Sequence, residues 1–181
     1  MKKNSTLPGL RGADHIGITV PDLEEATRFF VDVLGFEPYF DKGPFSSSGT
    51  WMQDELDVHP RAVMRKLRLF RCGHGSNIEV FEYEAPGQRT TPPRNSDIGG
   101  HHIALFVDDI DAAVEHLRSH NVRVLGEPKR VPPSDPNGGM RWVYFKSPWG
   151  MQFELVSYAK DEKPYERHLT RKLWNPCHPA D

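Results

Sequence analysis

An internal repeat constrains this chain more than any other feature. The segment DHIGITVPDLEEA, beginning at Asp14, is echoed by HHIALFVDDIDAA, beginning at His101, and a shift of 87 positions lays His15 on His102. Further on, NIEVFEY at 77–83 lies on QFELVSY at 152–158 with an offset of 75, because the first copy carries a longer middle over 41–60. Such a chain must fold as two like units, so each copy tests the reading of the other.

Within each copy the periodicity alternates between strand and helix. HIGITV at 15–20 and HIALFV at 102–107 have no helical period and read as strands. Pro21 suits the first turn of a helix, and DLEEATRFFVDVL at 22–34 puts Leu23, Ala26, Phe29, Phe30 and Val33 on one face before Gly35 stops it. The segment 108–121 repeats this with Ile110, Ala113, Val114 and Leu117. Two strand pairs follow, 62–70 with 76–84 and 140–146 with 151–158. Each copy is therefore expected to be βαβββ. One helix covers one face of such a sheet, and the other face stays open until something meets it. The predicted organisation is a first module over 12–84, a Pro- and Gly-rich linker over 85–100, a second module over 101–158 and a polar tail over 159–181.

Composition narrows the functional classes. Across 181 residues, 27% are charged and 37% apolar, as expected of a globular protein. A formal charge of −2 argues against a nucleic-acid binder. Cys72 and Cys177 are too few and too far apart for a thiolate metal site or a disulfide framework, and suit a reducing compartment. No stretch approaches membrane-spanning length and the opening residues lack an apolar leader core. The expectation is a cytoplasmic protein with a small-molecule partner, no nucleic acid and no membrane.

Strand parity selects the candidate site. Ile16, Ile18 and Val20 share one face, so His15 lies opposite with Gly17 and Thr19. In the second copy Ile103, Leu105 and Val107 share a face with His101, whereas His102 lies opposite with Ala104 and Phe106. His102 is thus the equivalent of His15. Glu79 opposes Ile78 and Val80, and Glu154 opposes Phe153 and Leu155. Two imidazoles and two carboxylates are predicted on the open faces. A carboxylate among apolar neighbours is costly unless paired or bound to a cation. The set suits one divalent metal ion: zinc, nickel, cobalt, manganese or iron.

The stretches DHIGITVPDLEEATRFFVDVLGF, NIEVFEY, GGHHIALFVDDIDAAVEHL and SPWGMQFELV together resemble the vicinal oxygen chelate superfamily over about residues 12–158. This superfamily includes glyoxalase I, methylmalonyl-CoA epimerase, extradiol dioxygenases and the bleomycin and fosfomycin resistance proteins. The resemblance implies an α+β fold in which two tandem βαβββ modules form a U-shaped mixed sheet around a metal-centred cavity. It also implies metal ligands at His15, Glu79, His102 and Glu154, and a homodimer. The four-ligand set is closest to the glyoxalase and epimerase branch. The implied function is a divalent-metal-dependent isomerase or lyase acting on a small carbonyl or acid substrate through a metal-stabilised enediolate, with Glu154 as the expected base and Glu79 as the second candidate. The alternatives are an Fe(II) extradiol-type ring-cleaving dioxygenase and a non-catalytic small-molecule binding (resistance) protein. The longer middle of the first module offers Trp51, Met52 and Leu56 as an apolar pocket wall, and Arg141 and Trp142 are candidates for substrate contact.

Overall fold

A computed structural model describes residues 7, 8, 10, 12–134 and 138–158; the predicted tail over 159–181 lies outside the described residues. Two four-stranded mixed sheets carry the fold. The first contains β1 (His15–Val20), β2 (Glu37–Lys42), β3 (Val63–Arg71) and β4 (Asn77–Glu84), in the order β1-β4-β3-β2. The second contains β5 (Ile103–Phe106), β6 (Arg123–Arg130), β7 (Arg141–Lys146) and β8 (Gln152–Ser157), in the order β5-β8-β7-β6. In both sheets the first strand runs parallel to the last, and the remaining neighbours are antiparallel. The tandem βαβββ class expected from the repeat is the class observed.

The helices begin where capping chemistry places them. Asp22 caps α1 (Leu23–Arg28) through the Glu25 amide at 2.8 Å, and Glu82 on β4 accepts from the Leu23 amide at 2.9 Å. Asp109 caps α3 (Ile110–Ser119) through the amides of Asp111 and Ala112. The predicted first helix does not stay α-helical to Leu34. Its second half, Phe29–Val33, widens into a π-helical turn. Gly35 then takes a φ of 74°, a conformation that glycine adopts without a side-chain penalty. The longer middle of the first unit adds one element, α2 (Trp51–Leu56), whose Met52 is fully buried.

One apolar core serves both sheets. Phe30 is fully buried, stacks on Phe36 at 5.2 Å, and touches Phe70 of β3 and Phe153 of β8. Phe29 reaches Trp149 and Phe153 in the second unit. In return, α3 lays His116 Nε2 against the Val33 carbonyl oxygen at 2.9 Å. Ile18, Val20, Ile78 and Val80 of the first sheet therefore share a cluster with Ile103, Val143, Phe145, Phe153 and Leu155 of the second. The helix-bearing faces of the two sheets meet across this cluster.

Because Phe30 bridges the units, Phe30→Ala is expected to cost about 3–5 kcal/mol in urea unfolding. The shared core also predicts one transition for both units. Coincident curves from far-ultraviolet dichroism and tryptophan fluorescence would check it, and two separated transitions would contradict it.

Candidate functional site

Each open face carries one histidine and one glutamate in the same relation. Gly17 pairs with Glu79 across β1 and β4, and Ala104 pairs with Glu154 across β5 and β8. In each case the histidine stands two residues before the small residue. Gly17 and Ala104 leave the glutamate free to lean diagonally toward the imidazole. The result is His15 Nε2 at 3.4 Å from Glu79 Oε2, and His102 Nε2 at 3.1 Å from Glu154 Oε2.

The outer nitrogens are held as well. His15 Nδ1 lies 2.8 Å from Asp14 Oδ2, and a carboxylate only accepts, so Nδ1 carries the hydrogen. This contact raises the His15 pKa, against a smaller opposing effect of desolvation. The Asn95 side-chain amide lies 3.2 Å from His102 Nδ1. With its outer nitrogen occupied, the His15 Nε2 lone pair is directed toward a carboxylate oxygen. Two electron-rich atoms in that position need a proton or a cation between them. Nitrogen and oxygen ligands about 2.0–2.2 Å from one ion stand roughly 3.0–3.5 Å apart, so both pairs have the span of neighbouring metal ligands. Each pair fits half of a metal site. Among the described residues, however, no group of three or more His, Cys, Asp or Glu residues is close enough to hold one ion.

The two halves differ in their surroundings. Glu154 is nearly buried, with a side-chain exposure of 12%, and burial raises its pKa while the neighbouring His102 pulls the other way. Tyr144 is in register with Glu154, and Trp142, Tyr144 and His102 form an aromatic row with edge-on contacts at 5.3 and 5.2 Å. Burial, and then the Glu154 charge, raise the Tyr144 pKa, so its hydroxyl keeps its proton. On the first face Glu79 opens into a cavity of about 770 Å³ walled by Phe45, Trp51, Leu56, Leu67, Phe81 and Tyr83. Its polar lining comes chiefly from Thr19, Lys42, Glu79 and the Tyr83 hydroxyl.

The other candidates fall as follows. Trp51 lines the first cavity while its neighbour Met52 turns into the core. Trp142 stands on the second open face, beside Tyr144. Arg141 has the opposite parity: its guanidinium turns to the helix side and pairs with both oxygens of Asp111 at 2.7 and 2.8 Å, away from the aromatic row. His101 contacts the Gly99 carbonyl and stays outside both pairs. Burial pushes the Cys72 thiol up to about 11, which leaves no thiolate nucleophile at neutral pH. Tyr83, Tyr144, Asp14 and Asn95 were not anticipated. The parity argument, carried to 83 and 144, would have found the tyrosines. Nothing in the linker sequence marks Asn95.

The sequence pattern of the Glyoxalase/Bleomycin resistance protein/Dioxygenase superfamily matches residues 14–144. A curated relative from Actinomyces sp, 2-epi-5-epi-valiolone epimerase, is 44% identical over 171 residues, covering 94% of this chain and 91% of its own. Human mitochondrial methylmalonyl-CoA epimerase is 29% identical over 119 residues, covering 65% of this chain and 58% of its own. A glyoxalase family protein from Bacillus cereus superposes with a TM-score of 0.63 at 22% identity, covering 87% of this chain and 97% of that one.

A raised carboxyl pKa has a consequence for stability. The folded state favours the neutral form of Glu154, so that advantage is full below the unfolded carboxyl pKa and is lost as pH rises through the folded one. Glu154→Gln removes the ionisation while keeping the shape. In metal-free protein the variant is expected to melt above wild type at pH 7, with the difference shrinking toward pH 4. Thermal melts across that range test this, and a variant less stable at pH 7 would contradict it.

Proposed function

The chain belongs to the Glyoxalase/Bleomycin resistance protein/Dioxygenase superfamily, and from that premise we propose that it is a metal-dependent epimerase inverting a carbon next to a ketone. The observation that carries this reading is the pair of His–Glu contacts in equivalent positions of the repeat, one of them with a nearly buried carboxyl. The relationship to an epimerase over almost the whole chain supports isomerase-type chemistry.

In this reading His15, Glu79, His102 and Glu154 would hold one divalent ion, which would supply Lewis-acid polarisation of a substrate carbonyl. The protein residues do the rest. Glu154 is the proposed general base that accepts the proton from the carbon beside that carbonyl. The Tyr144 hydroxyl donates to a substrate oxygen beside it. Glu79 is the candidate for returning a proton on the other face of the carbon, which inverts the centre with no net change in atoms. Asp14, accepting from Nδ1, orients the His15 imidazole so that its Nε2 would face the ion, and Asn95 would do the same for His102 with its amide oxygen rather than its nitrogen turned to Nδ1.

The surroundings favour a small, uncharged ligand. Trp51 and Phe45 meet edge-on at 5.4 Å on one wall of the first cavity, and Trp142 supplies an aromatic surface on the second face. Among the described residues Lys42 is the one basic residue lining that cavity, and its ammonium lies 5.4 Å from the Phe40 ring. A phosphate-rich coenzyme A substrate would want more positive charge there. Small ketones such as 2-epi-5-epi-valiolone are therefore proposed ahead of acyl-CoA thioesters. A homodimer within the cytoplasm is part of the same reading.

The test is proton exchange. Incubated with 2-epi-5-epi-valiolone in deuterium oxide, the metal-loaded protein is expected to place deuterium on the carbon beside the ketone and to invert it. Glu154→Gln should slow that exchange by about a hundredfold or more while still binding metal. Absence of exchange with any ketone would remove the epimerase reading. Oxygen consumption with catechols would point to ring cleavage, and tight ligand binding without turnover to a sequestering protein. The outer contact has its own readout: Asp14→Ala is expected to weaken metal affinity about ten- to a hundredfold in a competitive chelator titration. Unchanged affinity would deny Asp14 that role.

A further inference from the structure

We infer that the stretch 164–174 of this chain docks in a groove lined from both units and straps them together. Nothing in this docking depends on the proposed metal chemistry. It starts from a part of the core face that is left uncovered. Ile16 shares its side of β1 with Ile18 and Val20, which are 6% and 1% exposed, yet Ile16 itself is 38% exposed. It opens onto a groove of about 1100 Å³, bordered by Phe36 from the first unit and by Ile103, Leu105, Met140 and Leu155 from the second. Ile16, Ile103, Leu105 and Leu155 all have the parity of the interior. The groove is therefore core surface without a cover, and apolar surface of that extent calls for one.

The chain itself brings the occupant to the rim. Tyr158, the last described residue, lines the groove and packs edge-on against Phe106 at 4.9 Å. The sequence runs on from there for 23 residues, 159–181. Within them PYERHLTRKLW, 164–174, opens on a proline suited to a first helical turn and ends before Asn175 and Pro176, a stop signal. Tyr165, Leu169 and Leu173 recur at every fourth position and make one apolar stripe. A helix of that length is about 16 Å long and 10–12 Å across, and the groove has the volume for its inward half. The five residues before it span at most about 18 Å, which starts the stripe beside the groove.

Charge favours the same match. Asp32 and Asp108 border the groove, and among the described residues no Lys or Arg does. His168 and Lys172, four apart, run along one flank of the stripe, and Arg167, Arg171 and Lys172 outnumber Glu166 across the segment. Docked there, the segment touches both units at once and adds a second tie to the aromatic contact of Phe29 and Phe30.

Cys72 lines the groove and reports its cover. The Cys177→Ser change leaves Cys72 as the one thiol of the full chain. In that background, alkylation by N-ethylmaleimide is timed with and without Leu169→Asp plus Leu173→Asp, and hydrogen exchange over 103–107 is followed by mass spectrometry. The double variant is expected to label Cys72 about tenfold faster or more and to exchange faster over 103–107, while the unaltered segment protects equally at every protein concentration. Exchange in β3, which lines no part of the groove, should stay the same. Equal labelling and exchange with and without the aspartates would overturn the docking. Protection that falls away on dilution would also overturn it, by assigning the groove to a second copy. Protection insensitive to the aspartates and accompanied by extra mass in native mass spectrometry would overturn it in favour of a small apolar ligand. Should β3 exchange faster as well, the double variant is unfolding, and Leu169→Ala with Leu173→Ala repeats the test with smaller changes.

Discussion

The aromatic contact between the two units governs everything else in this molecule. Phe29 and Phe30 sit where the first helix widens into a π-turn; both rings reach Phe153 of the second sheet, and Phe30 also touches Phe70 of its own. A βαβββ unit has one helix and two sheet faces, so it must leave one face uncovered. By burying the helix sides together, this contact decides which faces remain. Those are the faces carrying imidazole and carboxylate. Stability and the proposed chemistry thereby fall on opposite sides of the same strands.

The alternation of strands explains how so much was legible in the sequence. In β1 the core needs Ile18 and Val20, which fixes His15, Gly17 and Thr19 on the other side whatever the rest of the fold does. The same reasoning separated His102 from His101 and placed both glutamates, because a one-residue slip would have turned the core outward. Arg141 shows where such reading stops. Val143 and Phe145 put it on the helix side by the rule already in use, but its partner, Asp111, sits on α3 and becomes visible only once the helix is packed. How the two modules meet was likewise beyond periodicity. Parity states which face a residue occupies, and it says nothing of whether two such faces look at each other.

The first and second half-sites are equivalent in backbone and unequal in chemistry. Asp14 gives His15 a charged outer partner, whereas His102 has a neutral amide reaching in from the linker. Glu79 borders a roomy apolar cavity, while Glu154 is enclosed by a tyrosine and the chain itself. Duplication supplies matched positions, and divergence around them separates a carboxylate with space beside it from one whose proton affinity is raised by burial. Two like groups in unlike surroundings are what the proposed epimerase reaction, which removes and restores a proton, calls for.

The parallel pairing of first and last strands has a consequence for how the molecule comes into being. Among the described residues β1 finds its only sheet neighbour in β4, and β5 in β8, so each unit encloses its sequence between the two strands that must meet last. Contacts of such long sequence separation demand that the loop be closed before they repay its entropy, which slows folding relative to local pairing. Neither histidine meets its glutamate until that closure. During synthesis the N-terminal half can complete its sheet while the second is still emerging, but its aromatic helix surface waits for β8, the final described strand. An interrupted chain therefore exposes Phe29 and Phe30, and becomes a substrate for aggregation or for chaperones before it can acquire any catalytic property.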